Sequence, residues 1–378
     1  MALLLLFPSC GQDNICTLRP YCDFRCFVLP CISSPEPYSP SSIQGKDACY
    51  PPIAYLAVKA LAWDKGDGWM PSSGEARLAL SLFVAQLIAV ILLALRLRSR
   101  RWLAVIAVML SPAVLSSMFR LNPSGWSFAL ICVFVCWYNS ESAVRRVIAA
   151  VALGLATALK VVPCVCGVLY VAESPLRPRD WNWRGAISSA GIAAVLVFLP
   201  FVFFGGYDAI PSFFCNALAN SQFYSIDDPI WGAVNIVNRF EESYAPSSLA
   251  VVAAWTTRIL AGALVFASCF IKDWYRKLLF LGAAMAFLTH HDYGGAYLIP
   301  ALFAWMGDVS SEPRNRVILM LESVAWFLIM TPLQIPCGDG GSMNAALQGE
   351  SLFLLLCLAL FAGAFRRRAE GMGLESVE

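Results

Sequence analysis

Residues 78–95 read LALSLFVAQLIAVILLAL, a run without a single charge, and the chain turns basic directly afterwards with Arg96, Arg98, Arg100 and Arg101. As a helix rising 1.5 Å per residue this run is about 27 Å long, close to the ~30 Å hydrocarbon core of a bilayer. An arginine cluster directly after such a run marks its cytoplasmic flank. The stretch therefore reads as one membrane crossing, entered from outside and left inside.

The pattern recurs along the chain. Further apolar runs fall at about 102–119, 125–138, 146–160, 161–172, 185–204, 249–269, 278–289, 293–307, 317–333 and 351–365, about eleven spans with the first. Hydrophobic residues make up 59% of the 378 and charged residues 14%, against roughly 45–50% and 25% in a soluble domain. That balance excludes a simple soluble globule. The expected fold is all-α, a polytopic transmembrane bundle in the cell membrane, with residues 1–378 as a single membrane domain and the lipid bilayer as obligatory partner. The net charge of +2 supplies no field to attract nucleic acid.

Basic residues occupy alternate gaps: the cluster after Leu95, then Arg145 and Arg146, then Arg177, Arg179 and Arg184, then Lys272, Arg276 and Lys277, then Arg314 and Arg316, and finally Arg366, Arg367 and Arg368. These gaps and the C-terminus are read as cytoplasmic. The basic-poor gaps then lie outside: residues 120–124, the loop 205–248, the corner at His290 and 334–350; and because the 78–95 span runs inward, the first loop, residues 9–76, lies outside as well. Within the first loop, the apolar segment Ile53–Trp63 is too short to cross and reads as an interfacial or re-entrant helix started by Pro51 and Pro52. Met1–Phe7 reads as the last turns of a truncated first helix, which leads us to expect a start about ten to fifteen residues upstream.

Eight cysteines fall in outer loops: Cys10, Cys16, Cys22, Cys26, Cys31, Cys49, Cys215 and Cys337. An even number in an oxidising compartment permits disulfides without fixing their connectivity. Without a C-x-x-C pair, and with two adjacent histidines as the whole histidine complement, no metal site is expected.

Polar groups at membrane depth are expensive to keep and mark sites. They collect on the outer side here: Asp23 in the first loop, Arg120 and Asn122 after the 102–119 run, Lys160 at the end of an apolar hairpin, and His290, His291, Asp292 and Tyr293 at another corner. Each alone is also consistent with a solvated charge or a snorkelling cation; the shared side is what argues for a site. The loop 205–248 adds Tyr207, Tyr224, Trp231, Tyr244 and the pair Asp227-Asp228, a set suited to stacking on and hydrogen-bonding a sugar, or to an interfacial aromatic belt. Arg258 and Glu322 lie within spans and read as structural, with an ion pair between them one option.

The ordered segments Asp23-Phe24, Pro37-Tyr38, Tyr50-Pro51-Pro52-Ile53-Ala54-Tyr55, Met118-Phe119-Arg120-Leu121-Asn122, Gly154-Leu155-Ala156-Thr157-Ala158-Leu159-Lys160-Val161-Val162-Pro163 and His290-His291-Asp292-Tyr293 resemble glycosyltransferase family 87. The departures are the truncated first helix and the cysteine-rich first loop. The resemblance implies a GT-C fold and a hexosyltransferase that needs no metal or other cofactor and inverts the sugar. Its donor would be a polyprenyl-phosphate sugar, with mannose the expected sugar, and its acceptor an envelope glycan or glycolipid on the extracytoplasmic face. It also implies a carboxylate base in the first outer loop, which falls on Asp23, with Asp13 and Asp47 as rivals. Lys160, Arg120, His290 and His291 are the expected donor-phosphate groups. Tyr50, Asn122, Asp227, Asp228, Asp292 and Tyr293 are expected to contact the acceptor or support the site. The rival class is a transporter or flippase of lipid-linked glycans, expected to show internal repeats and mid-depth polar groups; a non-catalytic scaffold would leave the outer cluster without a purpose.

Overall fold

The computed structural model describes residues 24–34, 36–39, 49–65, 71–96, 102–171, 181–220, 248–289, 292–309, 316–330 and 348–361. Among them every regular element is helical. A π-turn at Phe24–Val28 leads into α1 (Leu29–Ser33), followed by α2 (Pro52–Leu61), α3 (Ser73–Arg96), α4 (Trp102–Met109), α5 (Pro112–Phe119), α6 (Ser124–Trp137) and α7 (Ala143–Leu159). A 3₁₀ segment, Val162–Tyr170, precedes α8 (Trp183–Phe198) and a second one, Leu199–Phe203. Then come α9 (Ala209–Asn220), α10 (Ser248–Ser268), α11 (Trp274–Thr289), a third 3₁₀ segment at Asp292–Leu298, α12 (Ile299–Val309), α13 (Arg316–Met330) and α14 (Gln348–Phe361).

Two of these helices are long and apolar enough to cross a bilayer: α3, and α8 with its 3₁₀ continuation to Phe203. A third candidate is the α4–α5 pair, bent by 44° at its break. The single run expected at 102–119 is thus divided. Pro112, in the first turn of α5, has no N–H for the helix ladder and starts a new helix there. The run at 161–172 also differs from a plain span. Lys160 takes an extended backbone at the end of α7, and Pro163 follows in the first turn of the next segment. Nine 3₁₀ residues rise only about 18 Å. The 293–307 run begins as 3₁₀ before α12, and the loop expected at 205–248 opens with α9. The expected short helix after Pro51 is present as α2, with Pro52 in its first turn.

Burial divides into two clusters. The larger joins α3 to α7, α10 to α14 and the 3₁₀ segments Val162–Tyr170 and Asp292–Leu298. The smaller packs Phe24, Val28 and Tyr38 of the first loop against Tyr55 and Val58 of α2, Leu78 and Leu82 of α3, Leu121, and Phe201, Phe204 and Phe213. Exposed leucines, isoleucines and phenylalanines such as Leu80, Ile88, Ile187, Ile259 and Phe327 cover the outer faces of the long helices, which is the surface a lipid environment accepts. Glycines permit the closest approaches. A Cβ on Gly154 would sit 2.6 Å from Ile192 of α8, and one on Gly125 would sit 2.9 Å from Gln86 of α3.

The bundle has two chemically distinct ends. At one, Arg96 donates to the carbonyl of Cys136 at 3.2 Å, Tyr138 stacks on Trp274, and Arg146 caps the carbonyls of Ser140 and Glu141. α6 starts at the opposite end and α7 finishes there, where Lys160 Nζ reaches Ser124 Oγ. α11 leaves Trp274 and rises about 24 Å to Thr289. Gly294 packs on Thr289, and Tyr297 reaches Ser127 in the first turn of α6, so the Asp292 end of that segment lies toward the Lys160 end. Among the described residues, Arg96 and Arg146 therefore lie at one end of the bundle, and Asn122, Ser124 and Lys160 at the other.

Candidate functional site

The site is built on the tight link between α5 and α6. The N–H of Leu121 bonds the carbonyl of Met118 and the N–H of Asn122 bonds that of Ser117, the paired closure that commonly ends a helix with a left-handed residue. Glycine usually fills that position; here it is Leu121, with φ of 54°. Its side chain is fully buried in the smaller cluster, and that burial offsets the backbone strain.

This turn delivers Asn122 to the start of α6, buried and with both ends of its amide engaged. Oδ1 accepts from the Ser124 N–H at 2.9 Å and from the Ser124 hydroxyl at 2.6 Å, while Nδ2 donates to the Tyr50 hydroxyl at 2.8 Å. Lys160 Nζ donates to Ser124 Oγ at 2.9 Å. Three sequence candidates, their outermost pair more than a hundred residues apart, are thus joined in one chain of bonds, Lys160–Ser124–Asn122–Tyr50. Buried polar groups satisfied in this way hold one geometry, because breaking any link leaves a desolvated partner.

The first loop is fastened to the same turn. The Phe24 N–H donates to the Arg120 carbonyl at 3.2 Å, and Phe24 is fully buried. Tyr38 donates its hydroxyl to the Tyr50 carbonyl at 2.7 Å, and Asn216 of α9 bonds the Tyr38 carbonyl. Burial pushes the Tyr38 phenol well above its ordinary range, so it is a neutral donor. A second anchor is ionic. Arg25 grips Glu75 with Nε at 2.5 Å and Nη2 at 2.8 Å, the glutamate side chain being 0% exposed and the arginine 16%. Glu75 also closes a capping box with Ser72, accepting from its N–H at 2.8 Å and donating its own N–H to Ser72 Oγ at 3.0 Å.

Of the sequence candidates, Tyr50, Asn122 and Lys160 are brought together directly, and Arg120 contributes its backbone carbonyl. Asp292 and Tyr293 open the 3₁₀ segment directed toward this end. Asp23, Asp13, Asp47, Asp227, Asp228, His290 and His291 lie outside the described residues, as do Tyr224, Trp231 and Tyr244. Asp23 is the chain neighbour of the anchored Phe24. Tyr207 is exposed, and Cys215, one of the outer cysteines, is an exposed free thiol. Glu322 accepts from Trp305 Nε1 at 2.8 Å, and Arg258 lies over the ring of Trp255, placements that suit structural roles.

Sequence reasoning passed over Ser124, Arg25 and Glu75. Two local signals were present: the Ser-x-x-Glu spacing of residues 72–75 before an apolar run, and Asn122-Pro123-Ser124, whose first side chain folds back on the third N–H.

Compared with known families, residues 48–291 match glycosyltransferase family 87, which takes in α2 to α11, Tyr50, Asn122 and Lys160. No curated protein matches the chain. The matched region covers well over half of the sequence, and it agrees with the apolar helical architecture: the chain belongs to glycosyltransferase family 87 and is a membrane glycosyltransferase.

Proposed function

We propose that this enzyme transfers a sugar, mannose in the first instance, from a polyprenyl-phosphate donor to an envelope glycan or glycolipid on the extracytoplasmic face, with inversion and without metal or cofactor. The observation that carries the reading is the bonded chain Lys160–Ser124–Asn122–Tyr50, which ties a cation to the first loop at the end of the bundle opposite Arg96 and Arg146. A lysine beside the first turn of α6 combines a full positive charge with the positive end of a helix dipole, an arrangement that favours an anion such as a lipid phosphate.

In the proposed reaction, Asp23 accepts the proton of the acceptor hydroxyl as its oxygen bonds to the sugar's anomeric carbon. The bond from that carbon to the phosphate oxygen breaks, and polyprenyl phosphate leaves with the electron pair. Such a leaving group is already stable as an anion, so it needs cations more than a proton donor. Lys160, Arg120, His290 and His291 take that role. Tyr50, Asn122, Asp227, Asp228, Asp292 and Tyr293 contact the acceptor or support the site.

The test is to incubate purified protein with radiolabelled polyprenyl-phosphate sugars, nucleotide sugars and envelope lipids. Label should pass from polyprenyl-phosphate mannose to lipid or glycan product. Transfer from nucleotide sugars alone would overturn the donor assignment, and movement of lipid-linked glycan across vesicles without transfer would favour a flippase.

The proposed topology has about eleven crossings after the first helix, with residues 9–76 and 205–248 outside and the C-terminus inside. A reporter fused after Glu378 should score as cytoplasmic. An extracytoplasmic score would invert the arrangement and remove the argument for an outer-face site.

A further inference from the structure

We propose that Ser124 is a positioning residue for Lys160, holding its ammonium in the orientation that meets the donor phosphate. The proposal rests on the reading of Lys160 as the phosphate-binding cation, and its geometry is set by a sequence of one-way hydrogen bonds. A backbone N–H can only donate, so the Asn122 atom 2.9 Å from the Ser124 N–H is the amide oxygen, and the orientation of that amide is determined. The same oxygen, 2.6 Å from Ser124 Oγ, takes the hydroxyl proton. With its proton committed to Asn122, the serine oxygen turns a lone pair to Lys160 Nζ at 2.9 Å. The opposite end of the Asn122 amide is pinned by the Tyr50 hydroxyl, which blocks the rotation that would release the serine.

The lysine backbone is held separately. Its N–H bonds the carbonyl of Ala156 at 3.0 Å, and that carbonyl also receives the hydroxyl of Ser127, one turn further along α6. Ser127 therefore registers the last turn of α7 against α6, and Ser124 fixes the head of the side chain above it. A lysine has a flexible four-carbon stem and a point charge with three rotatable donors. Anchoring one donor restricts where the other two point. Both Ser124 and Asn122 are buried, so water competes poorly for the tether.

The test is a double-mutant cycle, with donor KM and kcat measured on detergent-purified wild type, Ser124→Ala, Lys160→Ala and the double variant, using polyprenyl-phosphate mannose as donor. Ser124→Ala should raise donor KM about tenfold and change kcat less, Ser124→Thr should stay within about threefold of wild type, and the double variant should be no worse than Lys160→Ala alone. A purely structural serine would instead add its loss to that of Lys160→Ala. Additivity, or an unchanged KM in Ser124→Ala, overturns the proposal. Should Ser124→Ala fail to fold, Ser124→Cys, which keeps the volume but accepts weakly, is read in the same way. If Lys160→Ala leaves donor KM unchanged, the phosphate reading itself fails, which is a separate result from additivity between two active residues.

Discussion

Asp23→Asn is expected to lower turnover by about 10²–10⁴ while donor affinity changes little. The substitution keeps size and hydrogen-bonding capacity but removes the proton acceptor. It should leave the first loop in place, because the two residues that follow are held independently, Phe24 by the Arg120 carbonyl and Arg25 by Glu75. Lys160→Ala should behave differently. A cation in contact with the donor phosphate before and during transfer supports both binding and reaction, so donor affinity and rate should fall together. Lys160→Arg should recover part of each, since charge is kept but the compact ammonium is replaced by a planar fork. Single-turnover rates and donor affinities on the same folded preparations separate the two. Near-normal transfer by Asp23→Asn would move the base to Asp13 or Asp47.

Arg25→Ala is expected to destabilise the folded protein by about 3–5 kcal/mol, the usual consequence of leaving a buried charge without its partner. Glu75 has no exposed surface, and the neutral Ser72 N–H that it also accepts from does not neutralise it. Removing both charges should be far milder. Arg25→Met combined with Glu75→Leu exchanges a desolvated ion pair for apolar packing beside Leu78, and such exchanges are often neutral or stabilising. Thermal unfolding in detergent, followed for the two single variants and the pair, checks this. If Arg25→Ala unfolds at the wild-type temperature, the ion pair is not what fastens the first loop to α3.

The membrane character and helical class were legible in residues 78–101 alone, because hydrocarbon demands long uncharged runs and basic flanks that no soluble core needs. The helix boundaries were less so. Pro112 and Pro163 sit inside uncharged, mainly apolar runs, and hydropathy does not register a missing N–H. The candidate site was legible in part: Asn122 and Lys160 stood out as polar groups beside apolar runs, whereas Tyr50 was named only through the family resemblance. Ser124 did not, since an isolated serine at the start of a helix looks the same whether it caps, packs or tethers. Arg25 and Glu75 were equally hidden, fifty residues apart and each unremarkable among its chain neighbours.

By itself, then, the sequence determined what local chemistry and the bilayer dictate: the apolar helices and the alternation of basic flanks along the chain. The tertiary structure alone decided which of them meet. Leu121 adopts a left-handed backbone because a buried pocket rewards its side chain, and that turn places Asn122 between Tyr50 and Ser124. Such partnerships depend on long-range packing, and their energy comes from desolvation and hydrogen-bond geometry that exist only once the separate segments are in contact.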